Sequence, residues 1–239
     1  MKRVLKVVGG ILAVLVLVFG IVWFKAFGHN SPIVDGQVVM PGVVVVKDSF
    51  VSSFLVDVGP GKVALVDAGK DTEGKPILEA LTRRGLGKDA VVAIFLTHGH
   101  GDHTAGCKLF PEATVYALAT ELDTIGDAAK VGHPLHDGDA VDIGELHVDA
   151  FAVPGHTPGS AVFLARGVLF FGDSAGAGKD GTMMKAVGLF SKDSGENVAS
   201  LKALATRLGP RASDVKMLAF AHTGTLIGFA PLTTFAASN

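Results

Sequence analysis

A single cysteine, a single tyrosine and a single tryptophan in 239 residues rule out several common designs. Cys107 has no partner for an intramolecular disulfide, so no cystine framework holds this fold, and the cysteine leaves the compartment open. It reads as a small buried hydrophobe beside the histidine loop that precedes it. Charge of one sign is missing too. Twenty-one basic against 23 acidic residues give a formal net charge of −2, with no basic field for nucleic acid and no acidic tail. There is no internal repeat and no low-complexity segment. Apolar residues are plentiful, at 49%, and 31 glycines with 10 prolines suit many short turns between strands rather than disorder. The length fits one sizeable domain and an appendage.

The appendage is N-terminal. Lys2, Arg3 and Lys6 precede residues 7–24, an uncharged run that includes Ile11-Leu12-Ala13-Val14-Leu15-Val16-Leu17-Val18. As a helix it would span roughly 27 Å, close to the thickness of a hydrocarbon core. Trp23 and Phe24 stand where interfacial aromatics belong, and only Lys25 closely follows. The charge asymmetry predicts an amino terminus in the cytoplasm and a domain on the periplasmic, extracytoplasmic side of the inner membrane. The run exceeds a usual signal core and reads as an uncleaved transmembrane anchor, residues 1–28. Ala26-Phe27-Gly28 offers a small-x-small cleavage site that would make the domain secreted. Residues 29–36 read as a linker, and residues 37–239 as the domain.

Within that domain, residues 38–46, 50–58 and 62–66 are β-rich runs, the last two parted by Gly59-Pro60-Gly61. Residues 75–84 carry Ile77, Leu78 and Leu81 on one helical face, and Gly85 ends that helix. Strands are predicted over 90–97 and 114–117, with a short helix over 119–125. The second half follows the same plan, with a strand over 146–152, a hairpin of 160–165 with 168–171 around Arg166-Gly167, a helix over 196–208 and a strand over 215–220. Two β-rich halves, each with helices, predict two sheets packed face to face with helices outside.

The densest chemistry is His98-Gly99-His100-Gly101-Asp102-His103, directly after the apolar run 90–97. A loop leaving the carboxyl end of a buried strand is held rigidly and is where ligands bind. Neutral imidazoles and carboxylates converging within about 2.0–2.2 Å are what a transition metal requires. Three further strand exits carry ligand-type side chains: Pro154-Gly155-His156-Thr157-Pro158-Gly159-Ser160, Gly172-Asp173, and Ala221-His222-Thr223-Gly224. Each alone is a weak signal. Four in one chain, all after apolar strands, point to a metal site.

This H-x-H-x-D-H run with separate His, Asp and His loops resembles the metallo-β-lactamase superfamily of metallohydrolases. The resemblance covers the chain from about Val38 to the end. It implies an α+β fold, the four-layer αββα sandwich, with the site at one edge. By position, His98, His100 and His156 resemble the ligands of a first metal, and Asp102, His103 and His222 those of a second. Asp173 resembles the carboxylate bridging both, and Asp67 the acid that orients a ligand from behind. Ala68 stands where the family more often has Ser or Thr. The implied cofactor is two Zn2+, with iron as the alternative.

Two such ions about 3.5–4 Å apart share a water and hold it as hydroxide near neutral pH. Asp102 is the candidate catalytic carboxylate that passes the proton to the leaving group. The expected activity is hydrolysis of an ester-type small molecule, a thioester or lactone. Asp173 argues for the glyoxalase II-like, lactonase-like or phosphodiesterase-like branches over the β-lactamases. Tyr116 reads as a packing residue, which counts against the lactonases, and only 17 residues follow His222, which counts against the usual glutathione-binding helical domain. An iron persulfide dioxygenase-like enzyme uses nearly the same ligands. A non-catalytic metal-binding membrane module is a third alternative. Residues 174–194 mix glycines with Met183, Met184, Leu189 and Phe190 and read as a lid, with Lys179 or Lys185 facing an anionic substrate end. His133, His136 and His147 read as structural or solvated.

Overall fold

The computed structural model describes residues 12, 14–18, 20 and 28–239. The chain divides into two units, Met1–Asn30 and Ser31–Asn239. The proposed membrane run, 7–24, lies for the most part outside the described residues. Among the described residues no helix is long and apolar enough to cross a membrane. The second unit is described from here on.

Seven strands form one sheet in chain order: β1 (Val38–Met40), β2 (Val43–Asp48), β3 (Val51–Gly59), β4 (Lys62–Val66), β5 (Val91–Phe95), β6 (Thr114–Leu118) and β7 (His133–Leu135). Pairing is antiparallel from β1 to β4 and parallel from β4 to β7. The second sheet comprises β8 (Ala140–Ile143), β9 (Leu146–Ala152), β10 (Ala161–Ala165), β11 (Val168–Phe170), β14 (Met217–Ala219) and β15 (Leu226–Ile227). Its spatial order is β15-β14-β11-β10-β9-β8. A two-stranded ribbon, β12 (Ala175–Ala177) and β13 (Met183–Lys185), stands apart. The helices are α1 (Lys75–Arg83), α2 (Gly101–Thr104), α3 (Leu122–Ile125), α4 (Ser194–Leu208) and α5 (Ala230–Ser238).

Strand alternation builds the layers. Phe54 and Val56 of β3, Phe95 of β5, and Phe163 and Phe170 of the second sheet meet in a core between the sheets. Their neighbours face the other way. Leu55, Leu65 and Ile94 pack beneath Ile77 and Leu81 of α1. Val162 and Leu164 pack beneath Leu201, Leu204 and Leu208 of α4 and Leu232 and Phe235 of α5. The result is the expected αββα sandwich. Local chemistry agrees with it: the Asp193 carboxylate caps α4 by accepting the Gly195 and Glu196 N–H groups at 2.8 and 2.9 Å. The β10–β11 turn places Arg166 and Gly167 at φ 47° and 76°, as a two-residue hairpin requires.

The structure departs from the sequence reading in several places. The run over 38–46 is two strands, because Pro41 cannot donate to a ladder and Gly42, at φ 79°, turns the chain. Strands β7, β8, β12, β13 and β15 and helix α5 have no clean periodicity to announce them. Residues 31–36, read as linker, belong to the compact unit. The Ser31 N–H donates to Ala177 O, the Gly224 N–H to Ser31 O, and Ile33 packs on the inner core. Tyr116 stacks on Phe95 at 4.7 Å, with His133 at 5.3 Å. His136 and His147 are exposed and paired with Asp139 and with Asp142 and Asp149.

Candidate metal centre

Strands β4, β5, β9, β11 and β14 all deliver their ligand-type residues to one edge of the sandwich. There the Nε2 atoms of His98 and His156 and the Nδ1 of His100 lie 3.0, 3.1 and 3.2 Å apart. Around a tetrahedral ion, ligand nitrogens at 2.0–2.1 Å sit about 3.3 Å from one another, so this spacing suits one ion held in common. Asp173 completes the group through Oδ2, 3.5 Å from His156 Nε2 and 4.0 Å from His98 Nε2. A second group adjoins it: Asp102, His103 and His222. His222 Nε2 lies 3.4 Å from Asp102 Oδ2, and His103 Nε2 lies 3.9 Å from Asp102 Oδ1. Asp173 Oδ1 faces this group, 3.2 Å from His103 Nε2 and 3.1 Å from His222 Nε2. The carboxylate thus turns one oxygen to each group.

The donor set fits metal for a further reason. His103 Nε2 and Asp173 Oδ1 are buried and, although 3.2 Å apart, are not aligned for a hydrogen bond with each other or with another group. Each such orphan costs about 1–3 kcal/mol, which coordination to a cation would relieve. The opposite ring nitrogens are spoken for. His103 Nδ1 meets Asp67 Oδ2 at 2.8 Å, and His222 Nδ1 meets Phe50 O at 2.9 Å. His98 Nδ1 lies 3.1 Å from Thr97 Oγ1, whose hydroxyl donates to Asp67 Oδ2 at 2.8 Å. His156 Nδ1 lies 3.3 Å from Ser191 Oγ, which donates to Val187 O. With Nδ1 donating, Nε2 of these four rings is left as the lone-pair nitrogen facing the site. Backbone geometry is committed to the same end. Asp67 sits at φ 58°, and a Cβ at Gly172 would come 2.3 Å from Thr97 Oγ1.

In the metal-free chain these groups hold unlike charges. Burial, reinforced by the neighbouring histidines, pushes His98 well below the usual imidazole range and His156 down to about 4. Burial opposes the charge on His103 as well, but Asp67 and Asp173 outweigh it and raise that imidazole well above its ordinary value. His222 is likewise raised by Asp173 against its burial. Asp173, despite burial, is held well below the carboxylate range by His103 and His222. A histidine depressed on folding binds its proton more readily in the unfolded chain, so His98 and His156 withdraw stability as pH falls below about 6.5, His156 through its folded value of about 4. For His156 alone this is on the order of 3 kcal/mol. Histidines raised on folding, His103 and His222, contribute stability below about 6.5 that is lost as pH rises through their folded values. The metal-free protein should therefore have its highest Tm near pH 6.5. A Tm climbing steadily from pH 4 to pH 8 in calorimetry would contradict this assignment of charges.

All seven ligand-type residues named from the sequence, and Asp67 behind them, converge here. The lid candidates differ in burial. Met183 is buried in the cluster beneath α4 and α5, and Met184 is half-buried on β13 beside it. Lys179 is exposed. Leu189 and Phe190 are 75% and 54% exposed and directly precede Ser191, the partner of His156. Phe50, 55% exposed, stacks on His222 with centroids 5.7 Å apart. Sequence reasoning missed Thr97, Ser191, Glu121 and the Phe50 carbonyl. Only Thr97, adjacent to His98, had a local signal. Cys107 is buried as expected, its thiol pushed up to about 12 by burial, and is inert.

An αββα sandwich with a His/Asp metal-binding cluster at one edge defines the class. Residues 46–222 match the family model described as the metallo-beta-lactamase superfamily, and the chain belongs to that family. It is 36% identical over 140 residues to hydroxyacylglutathione hydrolase of Serratia proteamaculans, covering 56% of this chain and 51% of that protein. The protein of the same name from Synechococcus sp. is 35% identical over 159 residues, covering 62% and 58%. The chain spans about half the length of the curated relatives it matches. Among solved structures, a metallo-beta-lactamase family protein of Thermus thermophilus superposes with a TM-score of 0.66 at 22% identity, covering 84% of this chain and 80% of that one. A Cronobacter sakazakii metallo-beta-lactamase with a HARLDQ motif gives 0.61 at 19%, covering 88% and 92%. These structures share the fold.

Proposed function

We propose that this chain is a metal-dependent hydrolase of ester-type small molecules, with thioesters of the kind its curated relatives are named for as the first substrate class. The observation that carries the reading is Asp173, one oxygen toward each of two adjoining His/Asp groups. His98, His100 and His156 would hold one ion and Asp102, His103 and His222 a second, with Asp173 between; two Zn2+ suit this donor set. When bound, the ions would bring a water's pKa toward neutrality and draw off charge developing on the carbonyl oxygen. The rest falls to the chain. Asp102, 26% exposed at the side chain, stands at the mouth, where its carboxylate accepts a proton from the attacking water and returns it to the leaving group. Phe50, stacked on His222, offers an apolar flank that suits an acyl group.

The full chain purified without added metal should contain about two zinc per chain and hydrolyse a thioester panel, and His100→Ala should lower the zinc content to about one and abolish hydrolysis. About one iron per chain with oxygen uptake would overturn the reading in favour of sulfur oxidation. We also propose that residues 7–24 tether the chain, with the domain on the periplasmic side. Lys2, Arg3 and Lys6 before an uncharged run support this orientation. Membrane fractionation and protease accessibility in intact spheroplasts test it; recovery of the chain in the cytosolic fraction would refute it.

A further inference from the structure

Glu121 is a buried acid with no place in the chemistry above. It is 1% exposed and lies where the one-turn helix over residues 119–121 runs into α3. Its Oε1 accepts the Gly99 N–H at 2.9 Å. Its Oε2 accepts the Gly159 N–H at 2.7 Å and the Thr157 hydroxyl at 2.9 Å. Gly99 is the residue between His98 and His100, and Thr157 follows His156. One carboxylate therefore ties together the two loops that supply all three histidines of the first group. Burying a carboxylate is costly unless donors replace its water, and here three fixed donors do so.

Packing makes the tie rigid. A Cβ at Gly99 would lie 2.7 Å from backbone atoms of Thr124 and Ile125, and a Cβ at Gly159 would lie 2.4 Å from Glu121 N. Both loops press against the segment that carries the acid. His98 and His156 follow strands of different sheets, and beside the Glu121 carboxylate the Ala161 N–H to Thr97 O bond at 2.7 Å joins the two segments. The second group has no such dependence on Glu121: Asp67 and the Phe50 carbonyl hold its histidines.

We propose that Glu121 is a positioning residue for the first metal group, clasping the 98–100 and 156–159 loops so that three imidazoles meet at one point. The inference rests on the metal-binding reading above. In Glu121→Gln an amide NH2 must face either the Gly99 N–H or the Gly159 N–H and Thr157 hydroxyl, setting donor against donor.

The test is zinc affinity of the full chain, by competition with a chromogenic chelator, in two backgrounds. Asp102→Ala leaves the first group whole, and His100→Ala leaves the second. Glu121→Gln should weaken zinc by roughly 10–100-fold in the first background, the usual scale for partners behind a ligand. In the second background it should change affinity less than about twofold. The cobalt absorption bands of the Asp102→Ala chain should shift with the same substitution. Equal weakening in both backgrounds would make Glu121 a general structural residue, and no weakening in either would remove its role; both outcomes overturn the proposal. If Glu121→Gln does not fold, Thr157→Val removes one donor and should act in the same direction with smaller size; no change in the Asp102→Ala background would then overturn it. Absence of zinc binding by the unaltered chain would be a separate result, defeating the metal reading itself.

Discussion

Replacing Asp173 with alanine should remove at least one of the two ions we propose from the purified chain and lower kcat/KM for a thioester by about a thousandfold, the scale on which loss of one preorganised electrostatic partner acts. The carboxylate faces both groups at once, with Nε2 atoms of His103 and His222 at 3.2 and 3.1 Å on one oxygen and that of His156 at 3.5 Å on the other. Without it, His103 loses one of the two acids that raise its pKa, and the first group loses its only carboxylate. Asp173→Asn keeps the shape but brings an NH2 toward one pair of ring nitrogens, so it should not restore activity. Metal content by plasma mass spectrometry beside thioester kinetics decides the matter. Two zinc and unaltered turnover in Asp173→Ala would refute the shared-ligand arrangement.

Asp67→Asn should be almost as damaging although Asp67 does not face the metal side of any ring. The acid accepts the Thr97 N–H through Oδ1, and the Thr97 hydroxyl and His103 Nδ1–H through Oδ2, at 2.8 Å in each case. Asparagine tolerates the left-handed φ of 58° that this position adopts, so the backbone should survive. The amide cannot accept at both ends. If its NH2 faces His103, that ring must accept at Nδ1 and carry its proton on Nε2, the atom that would bind metal. If it faces Thr97 N–H, a buried donor is left opposed by another. Tautomer errors of this kind cost about 10⁴ in kcat where an acid–histidine pair sits at a catalytic centre, and partners behind metal ligands cost roughly 10–100-fold in affinity. A fall of about 10²–10⁴ in kcat/KM with loss of the second-group ion is expected. Retention of both ions and full turnover would show that His103 does not depend on Asp67.

Most of the fold, and most of the residues that converge at the candidate site, were legible in the sequence for a physical reason. Strands β4, β10 and β11 are mainly apolar runs with glycine or aspartate within two residues of each end, so burial and turn chemistry mark their limits locally. Helices α1 and α4 carry leucines and isoleucine at helical spacing with clear stops. The ligand-type residues were legible because metal chemistry calls for His and Asp, and four strand exits carry them. Legibility failed where elements are short. Strands β12, β13 and β15 have two or three residues each, too few for periodicity, and they form because neighbours supply their hydrogen bonds. Met183 looked like a lid residue in a glycine-rich stretch, yet packing under α4 and α5 claims it.

The amino-acid order by itself determined which side chains can bind metal and that each follows an apolar strand. Those facts depend on residue type and local hydrophobicity alone. Only the tertiary structure decided that β5 of one sheet and β9, β11 and β14 of the other end at the same edge. That convergence lets Asp173 span both groups and buries Glu121 between two loops. No local pattern encodes these meetings, because they arise from sheet order and from the packing of the two sheets, where Phe95 meets Phe163 edge-on.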